Sequence, residues 1–363
     1  MNKDVVPVTK PYLPSRDKYK GYIDRIYEAG WLTNRGPLVS ELEARLAKFL
    51  GVKNVIVVAN GSLALQVAYK ALNLKGEVIT TPFSFAATAS TIMWEGLTPI
   101  YADIKDDSFN INPERIEDLI TDSTSAIVPV HVFGNPCEID IVKSIADKHN
   151  LKVIYDAAHA FGVQYKGQSV LKYGDISTLS FHATKLFHSI EGGAIITEND
   201  EVAEKVRNLI NFGITGPDTI EGLGTNAKMN EFEAAMGLCV LDDVHNIIDR
   251  RKAIISLYKE KLNLPSIKFQ TWHDQSLNLG AYMPVLFDNE ELLLEVKSRL
   301  DNLGILTRRY FYPSLDMVEA LNSLNIQCDV SRDISKRILC LPIYHDLEDE
   351  KLAEIVSIMN LDD

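Results

Sequence analysis

Residues 151–162, LKVIYDAAHAFG, decide the architecture. An apolar run over 151–155 stops abruptly on Asp156. Strands of a parallel sheet are buried on both faces and read as near-continuous apolar runs rather than as alternation. A carboxylate at the carboxyl end of such a strand points into the crevice where open α/β sheets bind ligands. Comparable short runs recur upstream at 55–59, 78–81, 98–102 and 125–130, and downstream at 178–181 and 193–197. Helical spacing of apolar residues fills the intervals at 38–50 (LVSELEARLAKFL), 63–72, 86–95, 113–120 and 138–149. Strands alternating with helices predict an α/β fold, a mostly parallel sheet covered on both faces.

Beyond this region the pattern changes. A helical stretch over 229–262 is longer than an ordinary helix, and a bend or break is expected near Leu241. A strand near 280–287, a helix over 290–303, strands at 305–307 and 338–341, and a closing helix near 348–359 follow. The chain therefore reads as a large α/β domain with an N-terminal arm over residues 1–240, and a smaller α+β domain over 241–363.

Composition narrows the function classes. The 363 residues are 46% hydrophobic and 24% charged, which excludes a disordered or collagen-like chain. The longest apolar runs, NVIVVA at 54–59 and SAIVPVHV at 125–132, are far short of the roughly 20 residues of a membrane-spanning helix. The N-terminus is polar, carries Pro7, Pro11 and Pro14 and has no apolar signal core, so no membrane association and a cytoplasmic location are expected. With 37 Lys and Arg against 50 Asp and Glu, the net charge of −13 disfavours a nucleic acid partner. Local basic groups remain able to hold a small anion. Cys137, Cys239, Cys328 and Cys340 are scattered without a CxxC pair, so neither a disulfide framework nor a metal site is expected.

Four features carry chemistry. Asp156 ends a strand, where a ligand contact and a helix N-cap are both open readings. Lys185 lies in SFHATKLFHSIEGG, 180–193, between a buried strand and a Gly-Gly pair; a solvated lysine is the ordinary reading, a Schiff-base lysine of lowered pKa the active one. Ser180, at the strand end before it, is placed to hold a phosphate oxygen. In the strand-to-helix turn Asn60-Gly61-Ser62-Leu63, the glycine permits close approach and the first helix amides favour an anion, although plain turn chemistry also fits. Phe85, in FSFAAT at 83–88, suits either a plate for a planar ring or a core position. An anion cradle, an aromatic plate, an acid for a ring nitrogen and a lysine for an aldehyde are together what pyridoxal 5′-phosphate (PLP) requires. No GxGxxG or Walker signature competes with it.

At these residues the chain resembles the DegT/StrS-type aminotransferases that act on nucleotide-linked keto-sugars. The resemblance runs nearly end to end, through GWLTNRGPLVSELEARLAKFLG, NGSLALQVAYKAL, TPFSFAATAS, VPVHVFGNPCEID, DAAHAFG, SFHATKLFHSIEGGAI, GLGTNAKMNEFEAAMG and RRYFYPSL. It implies the aspartate aminotransferase fold (type I). Lys185 would carry the cofactor and shuttle protons, and Asp156 would pair with the ring nitrogen. His159 would lie near the ring, and Phe85 would stack on it. Gly61, Ser62, the Leu63 amide and Ser180 would hold the phosphate. Asn226 would reach the neighbouring subunit's phosphate, making a homodimer with a composite site. Thr33, Asn34, Arg309 and Tyr312 resemble segments lining the sugar-nucleotide pocket.

The resemblance also bears on the reaction. A dehydrating branch has His in place of the lysine, so Lys185 implies transamination. Members that aminate C3 carry YGDGG and HYP; this chain has IEGG and Phe311-Tyr312-Pro313, closer to the C4 group. His188 departs from the commonest C4 pattern, TKNxxxGEGG. The implied activity moves an amino group from L-glutamate to C4 of dTDP-4-keto-6-deoxy-D-glucose, for O-antigen or another surface polysaccharide. A C3-specific aminotransferase acting on a dTDP-3-keto-6-deoxyhexose, and a non-catalytic regulatory protein on the same fold, are the alternatives.

Overall fold

The computed structural model describes residues 5–262, 264–322 and 324–360. Along the chain come helices α1 (Arg16–Ala29) and α2 (Pro37–Leu50), strand β1 (Asn54–Val58), α3 (Gly61–Ala71), β2 (Glu77–Thr80), α4 (Ala86–Trp94), β3 (Thr98–Tyr101), β4 (Thr124–Val128), α5 (Ile139–His149) and β5 (Lys152–Asp156). A minimal hairpin, β6 (Gln164–Tyr165) and β7 (Gln168–Ser169), precedes β8 (Ile176–Ser180) and β9 (Gly193–Thr197). Helix α6 (Asp200–Leu209), a second hairpin of β10 (Ile214–Gly216) and β11 (Thr219–Ile220), and helix α7 (Glu231–Lys261) follow. The chain ends with β12 (Ile267–Phe269), β13 (Met283–Phe287), α8 (Glu290–Asn302), α9 (Asp329–Arg337), β14 (Ile338–Leu341) and α10 (Asp349–Met359).

The main sheet has seven strands in the order β1-β9-β8-β5-β4-β2-β3. Only β9 runs against its neighbours, β1 and β8; the pairs β8–β5, β5–β4, β4–β2 and β2–β3 are parallel. Alternate residues feed two cores: Val57, Ile127, Val153 and Leu179 on one face, Ile56, Val128, Ile154 and Ile195 on the other. Each such side chain contributes on the order of 1.5–3 kcal/mol on burial. A three-stranded antiparallel sheet, β12-β13-β14, holds a separate core with α8 and α10. Among the described residues no helix is long and apolar enough to cross a membrane.

Three expectations need correction. Helix α7 does not break at Leu241 but runs unbroken for 31 residues, opened by a capping box between Asn230 and Glu233. Its residues 234–241 are all buried, whereas from Val244 onward the buried positions thin to one stripe, Val244, Ile247, Arg251, Ile254, Ile255 and Tyr258. That change of pattern, not a change of backbone, lies at Leu241. The expected domain division at residue 240 thus falls inside a helix that feeds the main core through Ile247 and the smaller one from Ile254. Residues 113–120 form two short 3₁₀ turns rather than a helix. Residues 305–307 form no sheet strand: Ile305 bridges Val6 of the N-terminal arm. Helices α1, α6 and α9 were hidden by polarity, since α1 fully buries only Ile26, and α6 only Ala203 and Val206.

One buried carboxylate ties α7 to α2. Gly36, the N-cap residue of α2, offers no side chain to the first amides of the helix. Glu231, 1% exposed, does so instead, accepting from Leu38 N–H at 2.7 Å and Val39 N–H at 3.0 Å. A Cβ on Gly36 would lie 2.7 Å from the Glu231 carboxyl carbon, so the glycine is what admits the carboxylate. Glu231→Ala leaves two buried amides unpaired and should cost about 2–4 kcal/mol, measured by urea denaturation; Glu231→Gln, which retains one acceptor oxygen, should cost less.

Candidate active site

A cavity of about 300 Å³ opens where the main strands end. Asn60 follows β1, Phe85 follows β2, Asp156 ends β5 and Ser180 ends β8, and all four line it. The opposite wall is brought by the C-terminal part of the chain as Tyr282, Arg308, Tyr310 and Phe311.

The end of the cavity at α3 is set by local rules. Asn60 caps α3, its side-chain oxygen accepting from Leu63 N–H at 2.9 Å. The Leu63 amide is thereby committed to the cap, and Leu63 does not line the cavity. Gly61 and Ser62 do, and amides at the first positions of a helix have no intrahelical acceptor. A Cβ on Gly61 would sit 3.0 Å from Ser180 Cβ, so glycine lets the helix end close on the strand end that carries Ser180.

Deeper in, Asp156 is buried, with Thr88 Oγ1 donating to Oδ2 at 2.8 Å and Ala158 N–H to Oδ1 at 3.2 Å. Burial lifts its pKa above the usual carboxylate range, opposed by those two hydrogen bonds and the Lys185 charge. Lys185 Nζ donates to Tyr282 Oη at 3.3 Å. Removal from water brings its pKa down to about 8, against the raising influence of Asp156 and Tyr310. His159 is buried and held well below the usual histidine range, by burial first and then by Lys185. Its Nδ1 accepts from Phe133 N–H at 3.3 Å, so the neutral ring keeps its proton on Nε2. The rings of Phe133, His159 and Phe311 lie within 11° of parallel. Phe85 is 55% exposed at the cavity rim, which excludes the core reading.

The structure does not bring every expected residue here. Arg309 turns away, donating to Glu290 Oε1 at 2.6 Å and the Lys336 carbonyl at 2.8 Å, with its guanidinium 3.7 Å from the centroid of the exposed Tyr312. Neither lines the cavity; their neighbours Arg308, Tyr310 and Phe311 do. Thr33, Asn34 and Asn226 are exposed and lie outside it. Asn34 instead lines a small crevice with Asn211, the bridge partner of Asn226. His188 faces away too: it is buried, bonded to the Tyr12 carbonyl at 2.8 Å, and its Nδ1 accepts from Ile190 N–H. Its departure from the commonest motif therefore concerns the N-terminal arm.

Sequence reasoning missed Thr88 and Tyr282 as site residues, and of the pair Arg308 and Arg309, for which pocket and surface readings are both open in sequence, it named Arg309 where the structure brings Arg308 to the cavity. Thr88 was findable only by its place in the first turn of α4, just past the strand end that carries Phe85; its bond to Ser84 at 2.8 Å is visible only in the structure. Tyr282 carried no signal, since it reads as the start of an ordinary core strand.

An amine with a pKa near 8 beside a helix N-terminus with free amides suits nucleophilic work on a phosphorylated carbonyl compound, and known proteins place the chain in an enzyme class of that kind. The chain belongs to the DegT/DnrJ/EryC1/StrS aminotransferase family, matched over residues 15–360. It is 42% identical to a dTDP-4-amino-4,6-dideoxy-D-glucose transaminase of Shigella dysenteriae, over 96% of this chain and 97% of the relative. A transaminase of the same name from Escherichia coli is 40% identical, over 99% of both chains. The solved structure of DesI in the presence of its TDP-sugar product superposes with a TM-score of 0.94 at 34% identity, covering 99% of this chain and 93% of DesI. The fold is thus the aspartate aminotransferase fold that the sequence led us to expect, and the chain is an aminotransferase.

The electrostatics are testable directly. In the cofactor-free chain, trace acylation of Lys185, followed by peptide mass mapping across a pH series, should give a midpoint near 8, well below that of exposed lysines near 10.4. Asp156 raises this pKa, so Asp156→Asn should move the midpoint lower still.

Proposed function

We propose that this cavity binds PLP and that the chain transfers the amino group of L-glutamate to C4 of dTDP-4-keto-6-deoxy-D-glucose, giving dTDP-4-amino-4,6-dideoxyglucose. The observation that carries the proposal is the presence of Lys185, Asp156 and the α3 helix end in one cavity. The residues fit the cofactor: Gly61 leaves open a cradle beside Ser180 that a Cβ would fill. Bound there, PLP supplies an aldehyde for amine exchange and a conjugated ring that takes up the electron pair of a broken C–H bond.

The Gly61 and Ser62 amides and the Ser180 hydroxyl would hold the phosphate. Asp156, oriented by Thr88 and Ala158, would pair with the ring nitrogen, whose positive charge would offset the burial that otherwise lifts the carboxyl pKa. Phe85 and His159 would flank the ring. Lys185, with its pKa near 8, takes a proton from the substrate carbon and returns it, close to the pKa match that proton transfer favours. Arg308 brings a cation to the rim and rests on the Tyr310 ring, 4.7 Å from its centroid. It pairs with the carboxylate of the donor or the diphosphate of the acceptor. Because donor and acceptor use one site in turn, kinetics are ping-pong.

The amino-sugar identity rests on the two transaminase relatives and on DesI. In our reading the enzyme is a cytoplasmic homodimer, and its product serves a surface polysaccharide such as O-antigen. Asn226 is exposed on a segment with exposed Phe212, Ile220 and Leu223, and Asn34 lines a crevice with its bridge partner Asn211; in our reading these residues and the exposed Thr33 serve the neighbouring subunit's cavity. Mixing Lys185→Ala and Asn226→Ala chains should then restore activity that neither has alone.

The decisive assay supplies PLP, L-glutamate and dTDP-4-keto-6-deoxy-D-glucose and locates the new amine by NMR. An amine at C4 is expected, and an amine at C3 overturns the regiochemistry. Lys185→Ala should abolish turnover with unchanged circular dichroism. Arg308→Ala should raise KM by roughly 10-fold or more, the loss expected of one charge-assisted hydrogen bond.

A further inference from the structure

The Lys185 amine has one hydrogen-bond partner among the described residues, and that partner comes from the far side of the cavity. Tyr282 immediately precedes β13 and is 5% exposed. Its ring stands edge-on to His159 at 4.7 Å and to Tyr310 at 5.4 Å. Its hydroxyl accepts from Lys185 Nζ.

What fixes Tyr282 is a buried cation. Arg251, 3% exposed on α7, donates from Nε to the Gly280 carbonyl at 2.6 Å and from Nη2 to the Ala281 carbonyl at 3.0 Å. These are the two peptide groups just before Tyr282. Gly280 has φ +77°, and a Cβ there would lie 2.8 Å from Arg251 Cβ, so the segment is pressed against the helix. Arg251 makes no ion pair among the described residues. A guanidinium buried without a carboxylate is costly, and an apolar side chain would fill the same space more favourably if packing were its only task. The cost is explained if the fork must hold two carbonyls, and so the residue after them, in one position.

We propose that Tyr282 is a catalytic residue that steers the Lys185 amine, and that Arg251 is the positioning residue that holds Tyr282 over it. This rests on the functional reading above for the role of Lys185. The charged and titratable groups facing the pair are Asp156, His159 and Tyr310 around Lys185, with Arg251, Arg308 and Cys340 around Tyr282. The Tyr282 hydroxyl accepts from the lysine's ammonium form and favours it. Arg251 acts only through Tyr282.

The test uses the full-length chain with Tyr282→Phe, Arg251→Lys and the double variant, compared at matched circular dichroism. The first readout, independent of turnover, is the pH midpoint of Lys185 acylation in the PLP-free chain, where the amine is not engaged by the cofactor. Tyr282→Phe should lower it from the wild-type value near 8, Arg251→Lys should lower it less, and the double variant should equal Tyr282→Phe alone. In the PLP-loaded enzyme, Tyr282→Phe should reduce kcat by roughly 10-fold or more with KM within about 3-fold, and shift the pH profile the same way. An unmoved midpoint in Tyr282→Phe overturns the proposal, as does an Arg251→Lys effect that persists undiminished in the double variant. Failure of the functional reading shows elsewhere, as no borohydride-trapped PLP on wild-type Lys185, while the acylation midpoint stays readable.

Discussion

Asp156 and Lys185 are an acid and a base withdrawn from water into one cavity, and most of what surrounds them serves to keep both there. Burial works against the charged form of each, lifting the carboxyl pKa and lowering the amine pKa. Each is also tied to a third group, Asp156 to Thr88 and Ala158, Lys185 to Tyr282. Strands β5 and β8, adjacent and parallel in the middle of the sheet, deliver Asp156 and the start of the lysine loop to the same end of it. The sheet's seven-strand order thus has a chemical result: two residues 29 positions apart in sequence (185 − 156) act within one electrostatic environment.

The legible part of the molecule was the part governed by local rules. Apolar runs marked the strands of the main sheet to within a few residues, because parallel strands are buried on both sides. Asp156, Lys185 and Ser180 were legible because each is a polar residue at or just beyond the end of such a run. The cap at Asn60 was only half legible. The turn was evident from Asn-Gly-Ser, but that the Asn60 side chain takes up the Leu63 amide depends on cap geometry.

The illegible part depends on long-range placement. Arg308 and Arg309 are neighbours whose side chains leave the backbone in different directions, and no local rule says which one faces a cavity. Tyr282 meets Lys185 across 97 residues of sequence. Helix α7 misled for a related reason: its pattern records which neighbours it meets, and those change midway along an unbroken backbone. The resemblance to a known family named His188 as an oddity, and the geometry gave it a local meaning, an anchor for the arm at Tyr12.

The continuity of α7 makes it a ruler as well as a support. It starts with the carboxylate of Glu231 on the amides of α2 and carries Arg251 to the peptide groups before Tyr282. The distance and angular phase between those two points are fixed by helix geometry, at 1.5 Å and about 100° per residue. Removing one residue between them would swing the Arg251 guanidinium about a quarter-turn off its carbonyls. The length of this segment is therefore constrained independently of its composition: substitutions along its exposed positions leave the register intact, whereas a single insertion or deletion does not.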